Sequence, residues 1–415
     1  MEHTCQSHNT NDQKPLCLCL FLSHFWPNAS GAENQAYQQG VEFARRGHTV
    51  HVLTRQINGY PREEKRDGLH IHRHLNPISM GPLFGTSFLL QSARSLLKSR
   101  KQFDLIHTHQ GLWEASATGL IKSFLDCPSL VQPASGGWDG EMEVLNRTRG
   151  RTFLRKLIHR NDHFAAISQQ IADELRKNGI ADETISLTNS GVDIDRFSPG
   201  ESRVENHLPT GKRVMFLGRL HPQKNLEMLL QAWKTIISSR ATDHPGATSS
   251  SKQNQPYLII IGDGPLKETL RKQCRDMEIH DSVIFLGAVK NPEEYLRAAD
   301  LFVLPSRAEG SPNALLEAMA TGLTCLVSNI GGNVDLIENG VRGFLLPTDQ
   351  ADLWTQMIRT LLDNPDRINQ TGIAAREWIV QERSIPSVVD KYEKLYGRLI
   401  HSKRTSRLRN STRPL

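Results

Sequence analysis

Short, almost wholly apolar runs alternate with amphipathic stretches along this chain, and the alternation starts afresh halfway. In the first half "LCLCLFL" (16–22) reads as a strand, "ENQAYQQGVEFARRG" as a helix ended by Gly47, and "HTVHVLT" as a second strand. "FDLIHTH" is another strand, followed by a helix and then "PSLVQP". After the turn-rich "NSGVDIDRFSPG" (189–200) the order resumes with "RVMFLG", the helical "NLEMLLQAWKTII", then "YLIIIG", "VIFLG", "LFVLPS" and "TCLVSN". Such alternation specifies βαβ units and parallel strands. Strands so uniformly apolar belong to a sheet covered on both faces. The expectation is an α/β chain of two Rossmann-like, doubly wound parallel-sheet domains. Ligands of such sheets bind at the carboxyl ends of the strands, so two facing domains make a cleft between them.

A length of 415 residues suits two domains of about 200 each. The expected division is 14–198, then 199–385, then a helix over 386–402 crossing back to the first domain, then a basic disordered tail over 403–415. That tail matters to the charge. Formal net charge is +6, yet Lys403, Arg404, Arg407, Arg409 and Arg413 lie in the last fifteen residues without an acid among them. The body is nearly neutral, which argues against a nucleic-acid partner. A solvated end is the plain reading of the tail, and adhesion to an anionic membrane surface the sharper one. Residues 238–256, polar and rich in breakers, read as a mobile surface insertion.

Six cysteines show no CxxC and no Cys/His metal spacing, so no metal site is expected and a reducing, cytoplasmic setting is. "LCLCLFL" is too short to span a bilayer and no small-residue cleavage site follows it.

Two stretches carry chemistry. In "EGSPNALLEAMATG" (309–322) Ser311 can N-cap a helix, Pro312 fits its first position and Gly322 the residue past its end. Glu309 then precedes the helix and Glu317 lies inside it, while the free N–H groups at the start form an anion site. In "FLGRLHPQKN" (216–225) Arg219 and Lys224 follow a strand end, two cations suited to a diphosphate. Each stretch alone is equally an ordinary capped helix or a basic loop.

Together with "SGAENQ", "FDLIHTH", "GVDIDRFSP", "IIIGDGPLKETL" and "VIFLGAV", in this order, these stretches resemble the retaining glycosyltransferases of family 4 over roughly residues 14–400. The resemblance implies the GT-B fold and hexosyl transfer from a nucleotide-sugar, most readily UDP- or GDP-linked, to a hydroxyl acceptor in surface polysaccharide or glycolipid synthesis. It implies that Arg219 and Lys224 hold the diphosphate, that Glu317 holds the ribose and that Glu309 meets the transferring sugar. The amides of Ser311, Asn313 and Ala314 would touch sugar and β-phosphate, and Gly31 would admit backbone from the first domain. No cofactor and no metal would be needed. Acceptors in such a family are glycans or lipid-linked sugars, and peripheral contact with the inner face of an anionic membrane goes with the latter.

Two departures stand out. The family's histidine near the end of "SLVQP" is replaced by the small residues of "PASGGWDGEME" (133–143), around Ser135 and Gly136. Asp139 and Glu141 there are candidates for acceptor contact, with solvent-facing loop acids the plainer reading. In "GGNVDLI" (331–337), Val334 and Asp335 stand where proline and glutamate are usual, with little consequence expected of a backbone turn.

"RTRGRTFLRKLIHR" (147–160) carries six cations and a stripe of Phe153, Leu154, Leu157 and Ile158, either a membrane-docking face or a core-facing one. His107 and His109 line the cleft or pack behind it, the latter being the simpler. "GDGPLK" (262–267) lacks the third glycine of a dinucleotide fingerprint. Acceptor choice is expected in first-domain loops such as 56–85 and 133–160. A sugar-nucleotide epimerase of the same fold and a catalytically weak nucleotide-sugar-binding protein are the alternatives.

Overall fold

The computed structural model describes residues 14–27, 31–78, 81–137, 140–243 and 255–411. The first sheet has eight strands: β1 (Cys17–Phe21), β2 (Thr49–Arg55), β3 (Glu63–Arg66), β4 (Leu69–Leu75), β5 (Leu105–His109), β6 (Ser129–Gln132), β7 (His163–Ala166) and β8 (Ile185–Leu187). Their order is β3-β4-β2-β1-β5-β6-β7-β8, and every pair is parallel except β3 with β4. The second sheet takes β9 (Arg213–Leu217), β10 (Tyr257–Ile261), β11 (Val283–Gly287), β12 (Leu301–Leu304), β13 (Cys325–Ser328) and β14 (Phe344–Leu346) in the order β11-β10-β9-β12-β13-β14, all parallel. Two Rossmann-like parallel sheets are what the alternation implies. Along β1, Leu18 and Leu20 enter one core while Cys19 and Phe21 enter another, so the first sheet is apolar on both faces.

The stretch 56–85, read as loop, instead holds β3, β4 and the start of helix Gly81–Ser99. "LHIHRHL" is apolar only at every second position, a half-buried pattern that the continuous apolar runs overshadow. Arg73 further disguises the strand because it points inward. It is fully buried, with its guanidinium on Pro61 O, Trp26 O and Glu64.

Beyond residue 402 the structure differs from the expected tail. Helix Ile385–Ser411 runs on through it. Lys403 reaches Asp162 at 3.2 Å and Arg404 reaches Asp104 at 3.5 Å, so those cations have acids to meet on the first domain. Val388, Val389, Tyr392 and Tyr396 of this helix are buried in the core that Leu18 and Leu20 form. The expected insertion is likewise shorter on its near side, because helix Leu226–Asp243 continues into it. Residues 244–254 lie outside the described residues.

The linker 189–200 is braced rather than loose. Val192 N donates to Arg383 O at 2.8 Å, and the Arg376 guanidinium donates to Phe197 O, Ile194 O and Ala320 O. Among the described residues no helix is long and apolar enough to cross a membrane, and the five described cysteines are free.

Candidate active site

Two loops at the carboxyl ends of β9 and β12 bring the second domain's charged residues together. Arg307 N donates to Gln223 O and Gln223 Nε2 donates to Ala308 O, both at 2.8 Å. Asn225, left-handed at φ 54°, anchors the first loop by donating from Nδ2 to Thr348 O at 2.8 Å. Held between these staples, Lys224 Nζ lies 2.5 Å from Glu309 Oε1, and the Glu309 side chain is only 8% exposed. Arg219 is exposed and has no side-chain partner among the described residues.

"GDGPLK" supports this loop instead of binding a nucleotide by a glycine fingerprint. Gly262 sits at φ +132°, and a Cβ there would lie 1.9 Å from Gly218 O; at Gly264 it would lie 2.4 Å from Leu220 O. Leu220 N donates to Asp263 O at 2.9 Å, closing the brace.

The helix after Glu309 spans Asn313–Ala320, with Pro312 rather than Ser311 as its N-cap and no side-chain cap. Ser311 therefore does not take the capping role, because the proline already holds the extended backbone that a cap needs. The amides of Ser311, Asn313 and Ala314 donate to nothing among the described residues, which leaves the positive end of the helix free. Glu317, one turn in, is half-buried and its carboxyl has no hydrogen-bond partner among the described residues; desolvation pushes that carboxyl up to about 7, with Arg196 opposing. Gly322 follows the helix at φ +83° as the sequence implies.

Gly31 meets this helix from the other domain: a Cβ would sit 2.8 Å from Asn313 Nδ2, which donates to Gly31 O at 3.0 Å. Gln35 then ties Asn313 Oδ1 (3.0 Å) to the linker at Gly191 O (2.6 Å). These contacts make an interdomain seam at Gly31 and Asn313, with Ser311, Ala314 and Glu317 on the same helix and its approach and Glu309 and Lys224 on the adjoining loops; no described contact carries Arg219 to the first domain.

Across the seam the glycine-rich stretch presses on the loop of Glu309. A Cβ on Gly310 would lie 3.2 Å from Gly136 N, and one on Gly137 (φ +85°) 3.2 Å from Ala308 Cβ. Glu141 is not a solvent-facing acid. Its Oε2 accepts from Gly111 N and Ala134 N, both at 2.9 Å, and burial pushes its carboxyl up to about 8. Buried Glu114, hydrogen-bonded to Ser23, is pushed up to about 7. Sequence reading passed over Glu114, although an acid inside the apolar "LWEASATGL" was a usable signal. Asp139 lies outside the described residues.

His107 and His109 are buried, and burial lowers the pKa of both rings, His109 to about 3, so both stay uncharged at neutral pH. His107 Nδ1 pairs with Tyr396 OH at 2.7 Å. Asp335 exceeds its expected part as a backbone turn, since its Oδ2 accepts from Gln169 N at 2.9 Å across the domains. The basic stretch 147–160 is split by Gly150 (φ +80°); Leu154, Leu157 and Ile158 enter the core, leaving Phe153 56% exposed.

Known proteins resemble this chain in sequence and in fold. The chain is 29% identical over 338 residues to UDP-Gal:alpha-D-GlcNAc-diphosphoundecaprenol alpha-1,3-galactosyltransferase of Escherichia coli, covering 76% of this chain and 80% of that one. Among solved structures, sucrose-phosphate synthase from Thermosynechococcus elongatus superposes with a TM-score of 0.77 at 21% identity, over 93% of this chain and 100% of that one. Anabaena HepE in complex with UDP gives 0.72 at 17% identity, over 92% and 100%. The family model "Glycosyltransferase Family 4" matches residues 29–196 and "Glycosyl transferases group 1" matches residues 199–378, one on each domain. With both domains matched in tandem, the chain belongs to the group 1 / family 4 glycosyltransferases and has their GT-B fold.

Proposed function

We propose that this chain is a retaining, metal-independent glycosyltransferase. It moves a hexosyl-type sugar from a UDP- or GDP-sugar to a hydroxyl of a glycan or lipid-linked acceptor, in surface polysaccharide or glycolipid synthesis. The observation that carries this reading is the Lys224–Glu309 contact of 2.5 Å, with Arg219 on the same loop without a side-chain partner among the described residues and an uncapped helix start next to Glu309. Arg219, Lys224 and the amides of Ser311, Asn313 and Ala314 neutralise the diphosphate, so protein charge does what a divalent ion does elsewhere. Glu317 accepts from the ribose hydroxyls, and Gly31 lets first-domain backbone approach. The relative named for UDP-Gal and a diphosphoundecaprenol-linked acceptor, and HepE with bound UDP, support a nucleotide-sugar donor.

Donor binding would turn Lys224 from Glu309 to the β-phosphate and release Glu309 to the sugar. The bond between the anomeric carbon and the diphosphate oxygen breaks with its electron pair going to that oxygen. The acceptor hydroxyl attacks from the same face, and its proton passes to the departing phosphate. Two pushed-up acids, buried Glu114 and half-buried Glu141, lie on the acceptor side. We place the enzyme in the cytoplasm, peripheral on the inner face of an anionic membrane when the acceptor is lipid-linked.

Thermal shift against UDP-, GDP- and ADP-sugars identifies the donor, and NMR of the product reads the anomeric configuration. An inverted product, or epimerised donor without any acceptor, would overturn the proposal.

A further inference from the structure

We propose that Glu63, His72 and His74 form a binding site for a divalent transition-metal ion, with Zn²⁺ favoured by the donor set. The site lies on the β3–β4 hairpin at the edge of the first sheet and shares no residue with the donor site. β4 runs "LHIHRHL", so His70, His72 and His74 fall on one face, two residues apart. The antiparallel register sets Glu63 directly opposite His72, on that face. Glu63 Oε2 lies 2.6 Å from His72 Nδ1 and Oε1 lies 2.5 Å from His74 Nε2. One ligand atom from each of the three falls within 4.8 Å of the others.

Two imidazoles and one carboxylate are the ligand types zinc takes, with bonds of about 2.0–2.2 Å that put neighbouring donors roughly 3.3–3.5 Å apart. The Glu63 contacts need open by only about 1 Å, through rotation of groups that reach the surface. An ion there takes the place of the protons that now bridge carboxylate and rings. His51 supplies an outer contact: its Nδ1 lies 2.8 Å from His72 Nε2, the nitrogen turned away from the ion. A partner on that far nitrogen fixes which nitrogen of His72 is free to ligate. Arg73, the neighbouring cation, points through the sheet to Glu64 and leaves Glu63 its charge. Three protein ligands leave a fourth position for water. Bound metal would tie the four-residue edge strand β3 to β4.

The test is calorimetric titration of ZnCl₂ into the EDTA-treated full chain, with Glu63→Gln and His74→Ala alongside. Both positions are exposed, so the variants keep their fold, and far-ultraviolet circular dichroism checks this. Expected are one site per chain, at least about tenfold weaker binding in each variant, and a wild-type Tm raised by about 2–4 °C with zinc. Co²⁺ should give the intense visible absorption of a four-coordinate site in wild type only. Absence of a stoichiometric site in wild type, or variants that bind zinc as wild type does, would overturn the assignment and leave an ordinary His–Glu ion pair.

Discussion

Lys224 Nζ lies 2.5 Å from Glu309 Oε1 in a loop pair stapled by Gln223, so the cation we assign to the donor's diphosphate and the acid we assign to its sugar neutralise each other while no donor is bound. Replacing Lys224 with alanine removes the diphosphate cation and leaves Glu309 buried without its partner. The transfer rate at saturating donor should fall by about 2–4 kcal/mol of transition-state stabilisation. Steady-state kinetics read this directly, and a wild-type rate would remove Lys224 from the mechanism.

Glu317 binds ribose, in our reading, only as a carboxylate. Glu317→Gln should weaken the donor by about 1.5–3 kcal/mol, seen in KM more than in kcat. Because burial pushes this acid up to about 7, wild-type donor affinity should improve as pH rises through that value. Donor titrations over this range check both, and the variant should lose the pH dependence.

Glu141 hydrogen-bonds two backbone amides, yet its carboxyl is pushed up to about 8. A folded acid raised above its unfolded value contributes stability that is complete below about pH 4.5 and lost as pH rises through about 8. Melting temperatures should therefore decline across that window, and Glu141→Gln should make the decline shallower. An unchanged slope in the variant would mean that other groups set it.

Gly262→Ala places a Cβ against Gly218 O at a positive φ. We expect a loss of about 1–3 kcal/mol or more in chemical denaturation, together with poorer donor binding, since the braced loop carries Arg219 and Lys224.

Leu157 and Phe153 separate the two readings of the basic stretch. Leu157→Ala should cost about 2–5 kcal/mol of stability, whereas Phe153→Ser should change it by no more than about 0.5 kcal/mol. Flotation with anionic liposomes tests the remaining membrane role: Phe153→Ser should weaken association if Phe153 and its neighbouring arginines make the contact.

The second domain's strands were legible because parallel strands buried on both faces spell themselves as unbroken apolar runs, as in "YLIIIG" and "LFVLPS". β4 was not, since a strand with imidazoles on one face and a buried arginine on the other has no such run. The helix after Glu309 was legible to within one residue, Pro312 taking the cap in place of Ser311. What the sequence hid is chiefly what crosses between domains. Asp335 accepting from Gln169 N, and Gln35 joining Asn313 to Gly191, depend on two surfaces whose mutual placement no local pattern encodes. The glycines of "PASGG" show the same limit. Their meaning lies in how closely Gly136 meets Gly310, the space where a larger side chain would stand.

Helix Ile385–Ser411 carries a consequence for biosynthesis. Tyr392 and Tyr396 wall the core behind β1 and β5, yet the ribosome makes them only after the entire second domain. The first domain therefore cannot complete its core in the order of synthesis, and the usual N-terminal-first sequence gives way to a joint finish. A nascent chain halted before residue 385 would display that unwalled apolar face, and chaperone capture should peak there.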